Sequence, residues 1–286
     1  MDGFLTLLKP PGMTSSDAVL FLRKRLPRGT RVGHGGTLDP DAAGVLPICL
    51  GKATRLFDYF IDKDKEYITE ACFGASTDTQ DASGRVVERC GPVPEAEAII
   101  HALPSLTGEI LQRPPAFSAI KQKGKRMYEL ARQGKSVDVP PRAVRVDSLD
   151  YLCKLDYNRH VFRVVCGKGV YIRTLVHDLG QILGCPAHMS FLLRTRSGAF
   201  TLEQACTIEQ LEEGLPPPLP LDTPLGYMPA LQLDESFRHA VRNGNPLRVD
   251  HGAPKDTLFR VYLSGQFAGI AAASGEGILR FRAMLL

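Results

Sequence analysis

Two rhythms of hydrophobic positions run through the chain. Glu66 to Phe73 alternates, with Tyr67, Thr69, Ala71 and Phe73 on one side, which predicts a half-buried strand. Leu5 to Leu8, Arg85 to Arg89 and Val161 to Cys166 also read as strands. Elsewhere the period lengthens to that of a helix. Val19, Leu22 and Leu26 follow a cap at Ser15 or Ser16. Ala53, Leu56, Phe57 and Phe60 are expected to face a core, and Ala96, Ile99, Ile100 and Leu103 mark a further amphipathic helix. The cleanest stripe is Ile172, Leu175, Val176, Leu179, Ile182 and Leu183. Arg173 falls off that stripe near the helix start, where a cation opposes the helix dipole at a cost of roughly a few tenths of a kcal/mol. A locally costly position points to an anionic partner, although plain solvent exposure also accounts for an arginine there. Thr207 to Gln210 reads as a capping box and Gly214 as its stop.

The stiff run Pro216-Pro217-Pro218-Leu219-Pro220 cannot enter a sheet interior and leads toward a boundary. Beyond it the pattern changes to short strands with glycine turns, at Leu258 to Leu263, Phe267 to Ala273 and Ile278 to Leu285. We therefore expect a large domain over residues 1–228 and a small β domain over 229–286.

Composition narrows the class. The 286 residues are 44% hydrophobic and 23% charged, as in ordinary globular domains, and no apolar run approaches the ~20 residues that span a bilayer. Met1-Asp2-Gly3-Phe4 does not resemble a signal peptide, so a cytoplasmic location is expected. Seven scattered cysteines without a Cys-x-x-Cys argue against a disulfide framework or a zinc site. The net charge of +4 is unevenly spread: residues 113–145 hold nine basic and two acidic residues, so the rest of the chain is net acidic. Prolines 114, 115, 140 and 141 bracket this segment as an insertion. Within it Phe117 and Tyr128 interleave with Lys121, Lys123, Lys125 and Arg126, the mixture that grips a polyanionic nucleic acid by stacking and neutralisation. A solvated basic face with ordinary packing aromatics explains the same run.

The chemistry concentrates in a loop, Gly33-His34-Gly35-Gly36-Thr37-Leu38-Asp39-Pro40-Asp41-Ala42-Ala43-Gly44-Val45-Leu46-Pro47. Pro40 pushes Asp39 toward extended backbone, so a carboxylate stands on a shaped turn beside a histidine. Gly51-Lys52-Ala53-Thr54 lacks the upstream glycine of a phosphate-binding loop, and Thr77 to Gly84 does not follow the calcium-loop pattern. An unaided carboxylate serves as a nucleophile when a cation keeps it ionised.

That loop resembles the catalytic motif of the tRNA pseudouridine synthase B family, with Gly35 where the family more often has Thr or Ala. Lys9 to Ser16 is similar to the family's opening motif, Lys65-Glu66-Tyr67 to its tyrosine motif, and Thr77 to Gly84 to its Thr-Asp-Thr turn. Pro114 to Lys121 resembles its RNA-gripping insertion, with Phe117 where Tyr is usual. Gly167 to Leu175 resembles the arginine motif, and Leu192 to Gly198 the closing apolar motif. The resemblance implies an α+β pseudouridine synthase fold: a mixed, largely antiparallel sheet flanked by helices, an RNA-binding insertion at about 112–145, and a short PUA-like C-terminal module. It implies isomerisation of a uridine in the T-loop of tRNA by base flipping, with Asp39 attacking C6 of the base or C1′ of the ribose. Arg173 would pair with Asp39, Asp81 would position Arg173, and Tyr67 would stack on the base and assist proton removal at C5. His34 would fill the gap left in the RNA, with Tyr171, Leu192 and the basic residues Lys121, Lys123, Lys125 and Arg126 binding substrate. No cofactor, metal or protein partner is implied, and a monomer is expected, with the tRNA T-arm as partner. The rival readings are a non-catalytic tRNA-binding or folding protein, a guide-RNA-dependent relative, and a two-carboxylate glycoside hydrolase using Asp41 or Asp81.

Overall fold

The computed structural model describes residues 1–115, 140–275 and 277–286, with the backbone of 121–122 and 125–126. The basic side chains Lys121, Lys123, Lys125 and Arg126, and the aromatics Phe117 and Tyr128, lie outside the described residues. Strands β1 (Gly3–Lys9), β2 (Val32–His34), β3 (Ala43–Leu50), β4 (Lys65–Phe73), β5 (Ala75–Thr77), β6 (Val86–Arg89) and β7 (Gly108–Gln112) lead to the insertion. There the backbone forms the short pair β8 (Lys121–Gln122) and β9 (Lys125–Arg126). After it come β10 (Arg142–Lys154), β11 (Arg159–Cys166), β12 (Ala187–Ser197), β13 (Phe200–Thr201) and β14 (Ala205–Cys206).

The main sheet runs β14-β1-β3-β12-β4-β11-β10-β7, with β2 beside β3 and β13 beside β12. Among the described residues only β1–β14 and β3–β12 are parallel within it, so it is mixed and largely antiparallel. Alternation explains the faces: in β4, Tyr67, Thr69, Ala71 and Phe73 are buried and the residues between them are partly exposed. One face packs on α1 (Ser15–Arg23), α3 (Ala96–Ala102) and α4 (Ile172–Ile182), while the short α2 (Phe57–Phe60) belongs to the other face. Leu22, Ile99, Leu175 and Leu179 meet Leu5, Leu46, Phe73 and Phe162 in the first core.

The helices correct several expectations. Thr14, not a serine, caps α1: its hydroxyl accepts from Asp17 N at 3.0 Å while the Asp17 carboxylate accepts from Thr14 N at 3.0 Å. Phe57, Ile100 and Ile182 fit the helical period but are exposed, because each helix presents a narrower stripe than the spacing allows. Thr207 does cap its helix, Ile208–Glu213, which Gly214 ends.

A second sheet of five strands, β15 (Ala230–Leu233), β16 (Leu247–Arg248), β17 (Leu258–Leu263), β18 (Gln266–Gly275) and β19 (Ile278–Met284), has the order β15-β17-β18-β19-β16. It is fastened to the opposite face of the main sheet. Phe4, Phe60 and Phe200 share a cluster with Ile270, Ala283 and Leu285. Lys52 donates to the Leu285 carbonyl at 2.7 Å and Arg55 to that of Met284 at 2.9 Å. No described helix is long and apolar enough to cross a membrane.

Candidate active site

The sheet order gathers the sequence motifs at one place. Ala43 and Gly44 pair with Leu193 and Arg194, Arg194 pairs with Tyr67, and Tyr67 pairs with Val164. The loop 33–42 therefore enters the sheet beside the closing motif, with the tyrosine strand next and the arginine helix beyond it. A cleft of about 280 Å³ opens there, lined among others by Asp39, Tyr67, Tyr171, Arg173, Leu192 and Arg194.

Three clamps set the backbone that presents Asp39. Arg194, almost wholly buried in the sheet, donates to the carbonyls of Val45 (2.7 Å), Gly36 (3.2 Å) and Thr37 (3.4 Å). The Ser15 hydroxyl accepts from Leu38 N at 3.0 Å and donates to its carbonyl at 3.3 Å. Lys9, fully buried, donates to the carbonyls of Pro10 (2.8 Å), Met13 (2.7 Å) and Pro40 (3.0 Å). Burial lowers its ammonium to about 8 against the pull of Asp41 and Asp39. The opening motif thus serves the loop, because buried cations here find the carbonyls that a tight loop leaves unpaired. Gly44 makes the close approach possible: its φ is +119°, and a Cβ there would stand 2.2 Å from the Arg194 carbonyl oxygen. Gly44→Ala should cost about 3 kcal/mol or more, read as a lower midpoint in denaturant titration. Gly35 has a different cause: a Cβ would meet the Phe60 ring at 2.4 Å, so this glycine goes with that phenylalanine.

Arg173 is buried, against the reading of its helical position as solvent-exposed. Its side chain is 6% exposed, while Asp81 is 17% and Asp39 39% exposed. Nε donates to Asp39 Oδ2 at 3.0 Å and Nη2 to Oδ1 at 3.2 Å, a two-point grip on the carboxylate. Nη1 reaches Asp81 Oδ2 and the Thr79 carbonyl, at 3.3 and 3.2 Å. The other oxygen of Asp81 accepts from the Thr79 hydroxyl (2.6 Å) and from the Ser83 amide (3.0 Å) and hydroxyl (2.6 Å). This turn is itself docked, since Ala82 N and Met189 N donate to the Met189 and Gln80 carbonyls, both at 3.0 Å. The site electrostatics follow. Burial raises the Asp39 carboxyl above the usual value of 3.8; Arg173 opposes that rise, and Asp81 and Asp41 add to it. Burial also raises the Tyr67 phenol, with Arg194 opposing.

Of the residues singled out in the sequence, Asp39, Tyr67, Tyr171, Arg173 and Leu192 line one cleft, and Asp81 stands behind Arg173. Gln112, at the end of β7, is buried and holds the Tyr171 backbone from both sides, at 2.7 and 3.1 Å, tying the base of the insertion to the arginine motif. His34 is not in the cleft lining; it ends β2 opposite Ile48, where burial, with Arg194 nearby, lowers its imidazole. Sequence reasoning passed over Lys9, Lys65 and Arg194 as site residues. The legible signal was a cation directly after an apolar run in a strand, as in Leu7-Leu8-Lys9 and Leu192-Leu193-Arg194.

Known proteins of the same pattern are numerous. The TruB family pseudouridylate synthase N-terminal domain matches residues 23–172, the tRNA pseudouridylate synthase B C-terminal domain 173–215, and the pseudouridine synthase II TruB C-terminal domain 229–285. The tRNA pseudouridine synthase B of Caldanaerobacter subterraneus subsp. tengcongensis is 45% identical over 282 residues, 97% of either chain. That of Symbiobacterium thermophilum is 48% identical over 251 residues, 85% of this chain and 81% of the relative. Among solved structures, a chain of an H/ACA RNP bound to a substrate RNA containing 2'-deoxyuridine aligns with a TM-score of 0.75 at 27% identity, covering 99% of this chain and 85% of that one. A chain of a Cbf5-Nop10-Gar1 complex gives 0.70 at 28%, covering 96% and 79%. By these matches the chain belongs to the tRNA pseudouridine synthase B family.

Proposed function

We propose that this enzyme isomerises a uridine in the T-loop of tRNA to pseudouridine, acting in the cytoplasm as a monomer. The observation that carries the reading is the carboxylate of Asp39, open to the cleft on one side and gripped at both oxygens by a buried guanidinium on the other. Asp39 attacks C6 of the base or C1′ of the ribose, the glycosidic bond breaks, the base turns and C5 bonds to C1′; departure of Asp39 frees the carboxylate, and loss of the C5 proton restores the uracil ring. Arg173 holds the attacking oxygen in place and favours its ionised form, and Asp81 fixes Arg173.

Such a base must leave its stack at a cost of about a few kcal/mol, which a pocket must offset. Tyr67 and Leu192 offer it a ring and an aliphatic side chain in the cleft. Burial favours the neutral phenol of Tyr67, which suits stacking; a part in taking the C5 proton would need another group to relieve it of its own. His34, its imidazole shifted toward the neutral form, would occupy the vacated position in the RNA. Lys121, Lys123, Lys125 and Arg126 would grip the T-arm, and residues 229–286 would act as a short PUA-like module.

A binding protein without catalysis has no use for a buried arginine between two carboxylates. A two-carboxylate hydrolase would need its second acid across the cleft, whereas neither Asp41 nor Asp81 is in the cleft lining. The tRNA reading is favoured over a guide-RNA-dependent one by relatives at 45% and 48% identity named for the tRNA enzyme. The test uses unmodified tRNA carrying tritium at C5 of uridine. Bonding C5 to the ribose expels that hydrogen, so one equivalent of tritium per tRNA should appear in water, with the modified uridine mapping to the T-loop. No release, or release from another loop, refutes the reading.

A further inference from the structure

We propose that Lys168 binds a backbone phosphate of the entering nucleotide, and that in the free protein Asp62 holds it in reserve; this rests on the reading above. Lys168 belongs to the turn before α4, and Asp62 to the loop after α2 on the facing wall. Their ion pair, Nζ to Oδ2 at 2.5 Å, crosses the rim of the cleft. The same two residues also line a second, more open hollow of about 290 Å³ near the base of the insertion, so the pair is the partition between the two.

The other cations of the cleft are committed. Lys65 is buried and donates to the carbonyls of Ile61 and Lys63, both at 2.6 Å. Arg173 and Arg194 are buried in the networks described. Lys168 is 66% exposed and its acid partner 54%, so water screens the pair and a phosphate can displace it at little cost. A flipped nucleotide keeps a phosphate on each side. With its base against Tyr67 and Leu192, those phosphates stay at the rim, within the sweep of a lysine side chain. The second hollow would not retain them. Its Arg145 is already taken by Asp64 and Asp147, at 2.6 and 2.8 Å, and Asp62 and Glu109 add further negative charge. Among the described residues of the cleft, Lys168 is thus the cation that can turn from the acidic side to the RNA side.

The experiment measures tritium release against tRNA concentration at several salt concentrations. Lys168→Met should raise KM about tenfold, leave kcat within about twofold, and reduce the slope of log affinity against log salt by about 0.7–0.9, one counterion's worth. Asp62→Asn should act oppositely, lowering KM about threefold, because it frees the lysine and removes a repelling charge. In the Lys168→Met background that gain should shrink to the small part that comes from the lost repulsion. Unchanged KM and salt slope in Lys168→Met, or an Asp62→Asn gain of equal size in both backgrounds, overturns the proposal while wild-type turnover leaves the functional reading standing. A wild-type protein that releases no tritium overturns both.

Discussion

Asp39→Asn protein is expected to release no measurable tritium from C5-labelled tRNA, at least about 10⁴-fold slower than wild type, while binding tRNA within about threefold of it. The amide is nearly isosteric, so the clamps at Gly36, Thr37, Leu38 and Pro40 are untouched, since they hold backbone and not this side chain. What disappears is the charge proposed to attack carbon, and one of the two oxygens facing Arg173 becomes a donor aimed at a donor. Binding should persist because Asp39 is an acid in a cleft meant for a polyanion, and its removal takes nothing attractive from the phosphates. An Asp39→Asn variant that turns over within tenfold of wild type would refute Asp39 as nucleophile. One that loses both binding and its melting transition would point to a structural part, and Asp39→Ala measured alongside separates lost charge from lost shape.

How far the site can be read without coordinates depends on how each residue is buried. Asp39 was legible because its reason is local: glycines and a proline within a few residues define the turn. Tyr67 was legible because a strand's alternation fixes its face. Arg173 was legible as an anomaly but not as a buried residue. The helical period compares it only with its own helix, and its burial comes from the Asp39 loop and the Asp81 turn, 134 and 92 residues away. Lys9 and Arg194 escaped for a related reason. A cation deep in a strand makes sense only once the carbonyls that receive it are known, and those belong to a loop whose path the cations themselves determine. The β strands of the C-terminal module were visible at 258–285, whereas β15 and β16 are too short and too ordinary in composition to stand out. The parallel contact of β3 with β12 was likewise hidden, since two residue pairs make it and Gly44 is its single sequence trace.

Removing the guanidinium should be nearly as damaging as removing the proposed nucleophile, and by a different route. In Arg173→Met, Asp39 and Asp81 lose the cation between them and face each other as like charges. Breaking a buried ion pair from one side costs about 3–5 kcal/mol. The cost here should lie near the lower end, about 3 kcal/mol, because Asp39 reaches water and can be rehydrated. Turnover should fall about 10³-fold, the scale of losing a preorganised charge contact at a reacting group. The pH profile separates this from simple misfolding. In wild type, burial already raises the Asp39 carboxyl above 3.8, and Arg173 is the influence that opposes the rise. A carboxyl with a raised value regains its proton earlier as pH falls, so the acid limb of kcat/KM should lie above the ordinary aspartate range. Without Arg173 the opposing influence is gone, and the residual activity of Arg173→Met should show that limb displaced further upward. A limb that stays put, or moves down, would mean that Asp39 is not the group titrating, whatever the size of the rate loss.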